Sequence, residues 1–154
     1  MKIKSYEMYR EDGICTLREE KSYSSGNKLS ALKSPKDVFE FCKDVLLMDK
    51  LPFEKMVVIC MDTKARPRCL FENGGGGFSS CEANPGALFA KILLSAYPVF
   101  LLVHNHPSGC TEPSPEDKEL TKNIEKISKI TGIKLLDHII VGEDYYSFKE
   151  DGVI

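Results

Sequence analysis

The chain has 154 residues, enough for one domain with a single substantial core. It is 42% hydrophobic and 29% charged, with a formal net charge of -2 and a pI near 6.0, so it lacks the basic stripe that marks a nucleic-acid binder. No stretch reaches the roughly 18 apolar residues of a membrane span, and Met1–Glu7 lacks the apolar core of a signal peptide; a soluble cytoplasmic protein is expected.

In chain order, Lys2–Tyr9 and Ile14–Arg18 read as a hairpin about a turn at Arg10-Glu11-Asp12-Gly13. Residues 19–33 are polar and read as a loop. Ser34-Pro35-Lys36-Asp37 has the signature of a capped helix start, and Val38, Phe41, Cys42, Val45 and Leu46 follow at helical spacing. Met56–Met61 reads as a buried strand and Arg68–Phe71 as a second, joined by a turn through Lys64-Ala65-Arg66-Pro67. Gly74–Gly77 excludes a stable helix or central strand. The run lacks the Gly-Lys-Ser/Thr ending of a phosphate-binding loop, so a flexible loop near a site entrance is expected. Asn84-Pro85 starts a helix to about Ala96. An apolar strand, Val99–Val103, ends in His104. A further helix runs from Ser114 to about Thr131, with Gly132 as its stop. Ile133–Val141 and Tyr145–Lys149 close the chain as strands. The whole predicts a mixed α/β sheet flanked by helices.

Chemistry concentrates in His104-Asn105-His106-Pro107-Ser108-Gly109 and in Ser114-Pro115-Glu116-Asp117. On a strand, His104 and His106 point to one side. Asp117 follows after a Gly, Pro and Ser-rich loop. Two imidazoles and a carboxylate are a catalytic zinc's three protein ligands, with a fourth position for water. Ser114-Pro115 also reads as an N-cap with proline at the first helical position, which would fix Asp117 on the first turn. The third histidine, His138, lies mid-strand in an apolar run and reads as a core histidine or one supporting a ligand. Asn105 reads as a structural hydrogen-bonder. The six cysteines (Cys15, Cys42, Cys60, Cys69, Cys81, Cys110) include no C-x-x-C pair and read as free thiols, several of them buried. Cys110, four residues after His106, could approach a metal but reads rather as a loop cysteine with no role.

The H-x-H-P-S-G and S-x-x-D pattern resembles the JAMM signature of JAB/MPN metalloproteases, and most closely the RadC-like family. Val57–Lys64, ending in Asp62-Thr63-Lys64, resembles that family's core strand; Leu135–Gly142 resembles its late strand, and Ser34–Val38 its first helix start. The resemblance covers the chain from about residue 30 to its end. It implies the JAB/MPN fold, similar in architecture to cytidine deaminases, in a domain over residues 34–154 with residues 1–33 a hairpin and loop extension of the same unit. Deaminase chemistry is disfavoured, because the paired-cysteine P-C-x-x-C element is missing.

The resemblance implies a zinc metallopeptidase in which a zinc-activated water attacks a peptide or isopeptide carbonyl. His104, His106 and Asp117 would hold Zn2+. Glu54, just before the core strand, stands at the family's general base, with Glu72 and Glu82 as rivals. Ser114 matches the serine that stabilises the tetrahedral oxyanion. Pro85-Gly86-Ala87 departs from the Pro-Arg-Glu of many members, as does the glycine run, which puts substrate recognition rather than metal binding in doubt. The alternative is an accessory protein, linked to DNA repair, that keeps a structural metal site. Longer RadC proteins carry an N-terminal helix-hairpin-helix segment suited to DNA, for which this chain has no room before residue 34. No particular protein partner or oligomeric state is legible.

Overall fold

A computed structural model describes residues 2–24, 31–73 and 84–154. Seven strands form one mixed sheet: β1 (Lys2–Glu11), β2 (Ile14–Ser24), β3 (Met56–Met61), β4 (Pro67–Asn73), β5 (Val99–Asn105), β6 (Lys134–Val141) and β7 (Tyr145–Ser147). Their spatial order is β2-β1-β4-β3-β5-β6-β7. Three helices cover it: α1 (Pro35–Asp44), α2 (Pro85–Ser95) and α3 (Pro115–Thr131).

Strand alternation sorts the core into two layers. Val57, Ile59, Met61, Leu101 and Val103 face one side and pack with Val38, Phe41 and Cys42 of α1. Met56, Val58, Cys60, Phe100 and Leu102 face the other and pack with Leu88, Phe89 and Ile92 of α2 and Ile124 of α3. Buried on both faces, β3 and the apolar part of β5 are continuous hydrophobic runs rather than alternating ones. Each helix begins with proline at its start behind a polar N-cap: Ser34, Asn84 and Ser114 each accept a backbone N–H. Gly132 ends α3 at φ 76, a conformation that favours glycine.

The element order expected from sequence holds, with two extensions. The hairpin arms are longer: β1 runs to Glu11 and β2 to Ser24, so residues 19–24, expected as loop, are strand. The edge position of β2 explains the difference. Its outer half pairs with β1 past a register shift between Ser5 and Tyr6 and is largely exposed, so it carries no apolar alternation. β4 likewise extends to Asn73 along β3. A short 3₁₀ turn at Met48–Lys50, absent from the sequence reading, follows Leu47 at φ 54. Gly74–Gly77, Cys81 and Glu82 lie outside the described residues.

Candidate metal centre

The site forms where β5 leaves the sheet. His104 pairs with Met56 of β3 on one side and Ile140 of β6 on the other. It therefore lies on the α2/α3 face, and it is 2% exposed. The backbone stays tied to β6 beyond the strand, because the His106 N–H donates to the Val141 carbonyl (2.9 Å). The chain then turns through Gly109 at φ 82, whose carbonyl accepts the Glu143 N–H (3.0 Å). This seat demands glycine at position 142, where a Cβ would stand 2.3 Å from the Gly109 oxygen.

The third member arrives from α3. Asp117 sits at its third helical position, in a capping box with Ser114. Its Oδ2 accepts from the Ser114 N–H (2.9 Å) and the Ser114 hydroxyl (2.8 Å), while Ser114 Oγ accepts the Asp117 N–H (3.0 Å). The carboxylate thus has a fixed place before anything binds.

His104 Nε2 lies 3.1 Å from His106 Nε2 and 3.2 Å from Asp117 Oδ1, and His106 Nε2 lies 3.5 Å from Asp117 Oδ2. Bonds of about 2.0–2.2 Å to a tetrahedral ion imply corners about 3.3–3.6 Å apart, close to this spacing. His106 Nδ1 lies 2.8 Å from the Cys110 carbonyl, which can only accept. Nδ1 therefore carries the proton and Nε2 turns a lone pair toward the cluster. The donor set, two imidazoles and a carboxylate, fits a divalent metal. The Cys110 carbonyl supports His106, while its thiol is outside the metal-ligating group found among the described residues.

The electrostatics agree with one shared site. Burial disfavours the Asp117 carboxylate, but hydrogen bonds with His104 and His106 outweigh it and hold the carboxyl far below the usual range. The hydrogen bond with Asp117 raises the His106 pKa; burial opposes this, and the Cys110 carbonyl and the charges of Asp117 and Glu54 add to it. Burial, followed by the neighbouring His104, pushes His138 well below its ordinary value.

Glu54 lies two residues before Met56, the residue paired with His104, and its charge is felt at His106. Its backbone is held by Asn105, whose Oδ1 accepts the Lys55 N–H (2.8 Å) and whose Nδ2 donates to the Phe53 carbonyl (3.2 Å). Glu72 pairs with Val57 and so faces the opposite, α1 side. There it accepts from Tyr23, Lys21 and Lys55. Burial works against its charged form, but these partners prevail and bring its pKa down to about 2. It is a structural ion-pair residue turned away from the His104, His106 and Asp117 cluster.

Behind His104 stand two further residues. His138 Nε2 lies 2.8 Å from His104 Nδ1, and His138 Nδ1 lies 2.6 Å from the Thr121 hydroxyl, which also lies 2.6 Å from the Asp117 carbonyl. The His138 ring stacks on Phe148 at 4.6 Å between centroids. His138 was expected as a core or supporting histidine. Thr121 escaped the sequence reading, although its spacing of four from Asp117 puts both on one helix face.

Residues 32–153 match the model of the RadC-like JAB domain. A UPF0758 protein of Rubrobacter xylanophilus is 37% identical over 126 residues, covering 80% of this chain and 53% of its own length. A UPF0758 protein of Clostridium botulinum (strain Loch Maree) is 35% identical over 135 residues, covering 87% of this chain and 58% of its own. One from Syntrophomonas wolfei is 34% identical over 126 residues, covering 80% and 54%. The chain thus spans little more than half the length of the curated relatives it matches. With a seven-stranded mixed sheet under three helices and a His-His-Asp cluster at the end of β5, the chain belongs to the RadC-like JAB domain family.

Proposed function

We propose that this domain is a zinc-dependent metallopeptidase that hydrolyses a peptide or isopeptide bond. The observation that carries the reading is the convergence of His104, His106 and Asp117 at about the spacing of a zinc ion's tetrahedral corners. Zinc held there supplies a Lewis acid that polarises a carbonyl and lowers the pKa of a water from about 15.7 toward about 7.

The chain's own groups do the rest. His106 and Asp117 arrive pre-oriented by the Cys110 carbonyl and by Ser114. Glu54 takes the proton of the attacking water and returns it to the leaving amine nitrogen. Asn105 keeps Glu54 at that station. Ser114 donates its hydroxyl proton to Asp117 at rest and turns it toward the developing oxyanion in the transition state; one such donor contributes roughly 3 kcal/mol.

Metal analysis of the purified protein, paired with a peptide and isopeptide hydrolysis screen with and without chelator, tests the reading. About one zinc per chain and chelator-sensitive cleavage are expected. Retained zinc with no hydrolysis across the screen would favour a structural metal site. Sub-micromolar duplex DNA binding with a steep salt slope would favour a repair accessory.

A further inference from the structure

We infer that Thr121 and His138 are positioning residues that fix the proton of His104 on Nδ1, so that its Nε2 presents a lone pair to the metal site. The purpose of this device rests on the zinc reading above; the proton order itself does not.

The order follows from one fact: a carbonyl oxygen can only accept. The Thr121 hydroxyl lies 2.6 Å from the Asp117 carbonyl, a contact that requires the hydroxyl's single proton. Toward His138 the same oxygen can then only accept, so the 2.6 Å contact requires a proton on His138 Nδ1. In the neutral ring Nε2 is left bare. It faces His104 Nδ1 at 2.8 Å, and that nitrogen must donate. The remaining nitrogen of His104, Nε2, has no proton, and it faces His106 and Asp117. Reversing any one proton would set two lone pairs or two protons against each other between the Asp117 carbonyl and His104 Nδ1; lone pairs then meet only where His104 Nε2, His106 Nε2 and the Asp117 carboxylate converge, the place a cation would take.

The surroundings hold this order in place. Thr121 and His138 are both fully buried, so water is kept from substituting for either partner. The His138 ring is stacked on Phe148 within 7° of parallel, which opposes the ring flip that would put carbons where its two nitrogens stand. The series also closes on itself. It starts at the main-chain oxygen of Asp117 and ends at an imidazole that faces the same residue's carboxylate. Ligands from β5 and α3 are thereby tied together through β6.

Nitrogen-15 NMR of the histidine rings in the metal-free full chain, at a pH where the rings are neutral, reads the order directly. His104 and His138 should each be protonated on Nδ1 and bare on Nε2. A predominant Nε2–H form of His104 would overturn the inference. Thr121→Val removes the hydroxyl with little change of shape; zinc affinity by chelator competition should fall about 10- to 100-fold, and Thr121→Ser should restore it. Unchanged zinc affinity in folded Thr121→Val would also overturn it. If Thr121→Val fails to fold, the wild-type ring spectra decide alone. Wild-type protein that shows the expected proton order yet binds no zinc would uphold the order and sink the zinc reading instead.

Discussion

The Asn105 side chain bridges the backbone on both sides of Glu54, accepting from Lys55 and donating to Phe53. Asn105 stands between His104 and His106. The strand that presents the two candidate histidine ligands therefore also holds the backbone around the proposed base, and the two are registered by one amide. If Glu54 moves protons, Glu54→Gln should keep zinc near the wild-type level while hydrolysis falls about 100-fold or more. Glu54→Gln with full zinc-dependent turnover would remove Glu54 from the mechanism; loss of zinc would make it a metal-supporting residue. Glu72→Gln serves as the control. It faces the other side of the sheet, so turnover should persist, while the ion-pair network it anchors is weakened and thermal stability drops.

Asn105→Ala leaves the Lys55 N–H and the Phe53 carbonyl without the amide that pairs them. Loss of such partners typically costs about 1–3 kcal/mol. Zinc binding should persist, because both polar atoms of the Asn105 amide are engaged with the Lys55 N–H and the Phe53 carbonyl. The turnover number should fall toward that of Glu54→Gln. Combining Asn105→Ala with Glu54→Gln should add little further loss; full additivity of the two effects would show that they act separately.

Each metal ligand should fail differently. His104→Ala or His106→Ala should abolish stoichiometric zinc. Asp117→Ala should weaken zinc strongly and also destabilise α3, since it deletes one half of the capping box. Asp117→Asn should separate the two effects, keeping much of the cap while losing charge. Zinc at one equivalent in a His104→Ala, His106→Ala double variant would refute the assignment.

Acid should dislodge the metal. His106 must be neutral to bind, and its pKa without metal is raised above 6.5, so protons compete already above that value as pH falls. Asp117 stays ionised throughout this range. Zinc affinity measured between about pH 8 and about pH 6 should fall steadily. The metal-free protein should behave oppositely. A raised folded-state pKa contributes stability that is fully present below 6.5 and is lost as pH rises through the folded value. A zinc affinity that is flat across this range would contradict the assignment of His106.

The convergence of His104, His106 and Asp117 was legible in sequence because each is announced locally: the histidines by strand alternation past an apolar run, Asp117 by a helix start. Glu54 was proposed only by resemblance; its charge at His106 and the opposite face of Glu72 come from the folded structure. Thr121 gave no local signal, since a threonine inside a helix reads as an ordinary half-polar residue until His138 arrives from another strand. The outer half of β2 was hidden because an edge strand with exposed side chains has no apolar period to read.

The same Asp117 carboxylate that faces the histidines also closes the first turn of α3. Metal occupancy and fraying of that turn are therefore one linked equilibrium: whatever the metal gains by finding the carboxylate already clamped, the helix start gains back when the metal arrives. Amide hydrogen exchange at Ser114 and Asp117 should slow on zinc addition, while that at the far end of the helix, near Gly132, barely changes. The helix start would then report ligation without any chromophore or substrate.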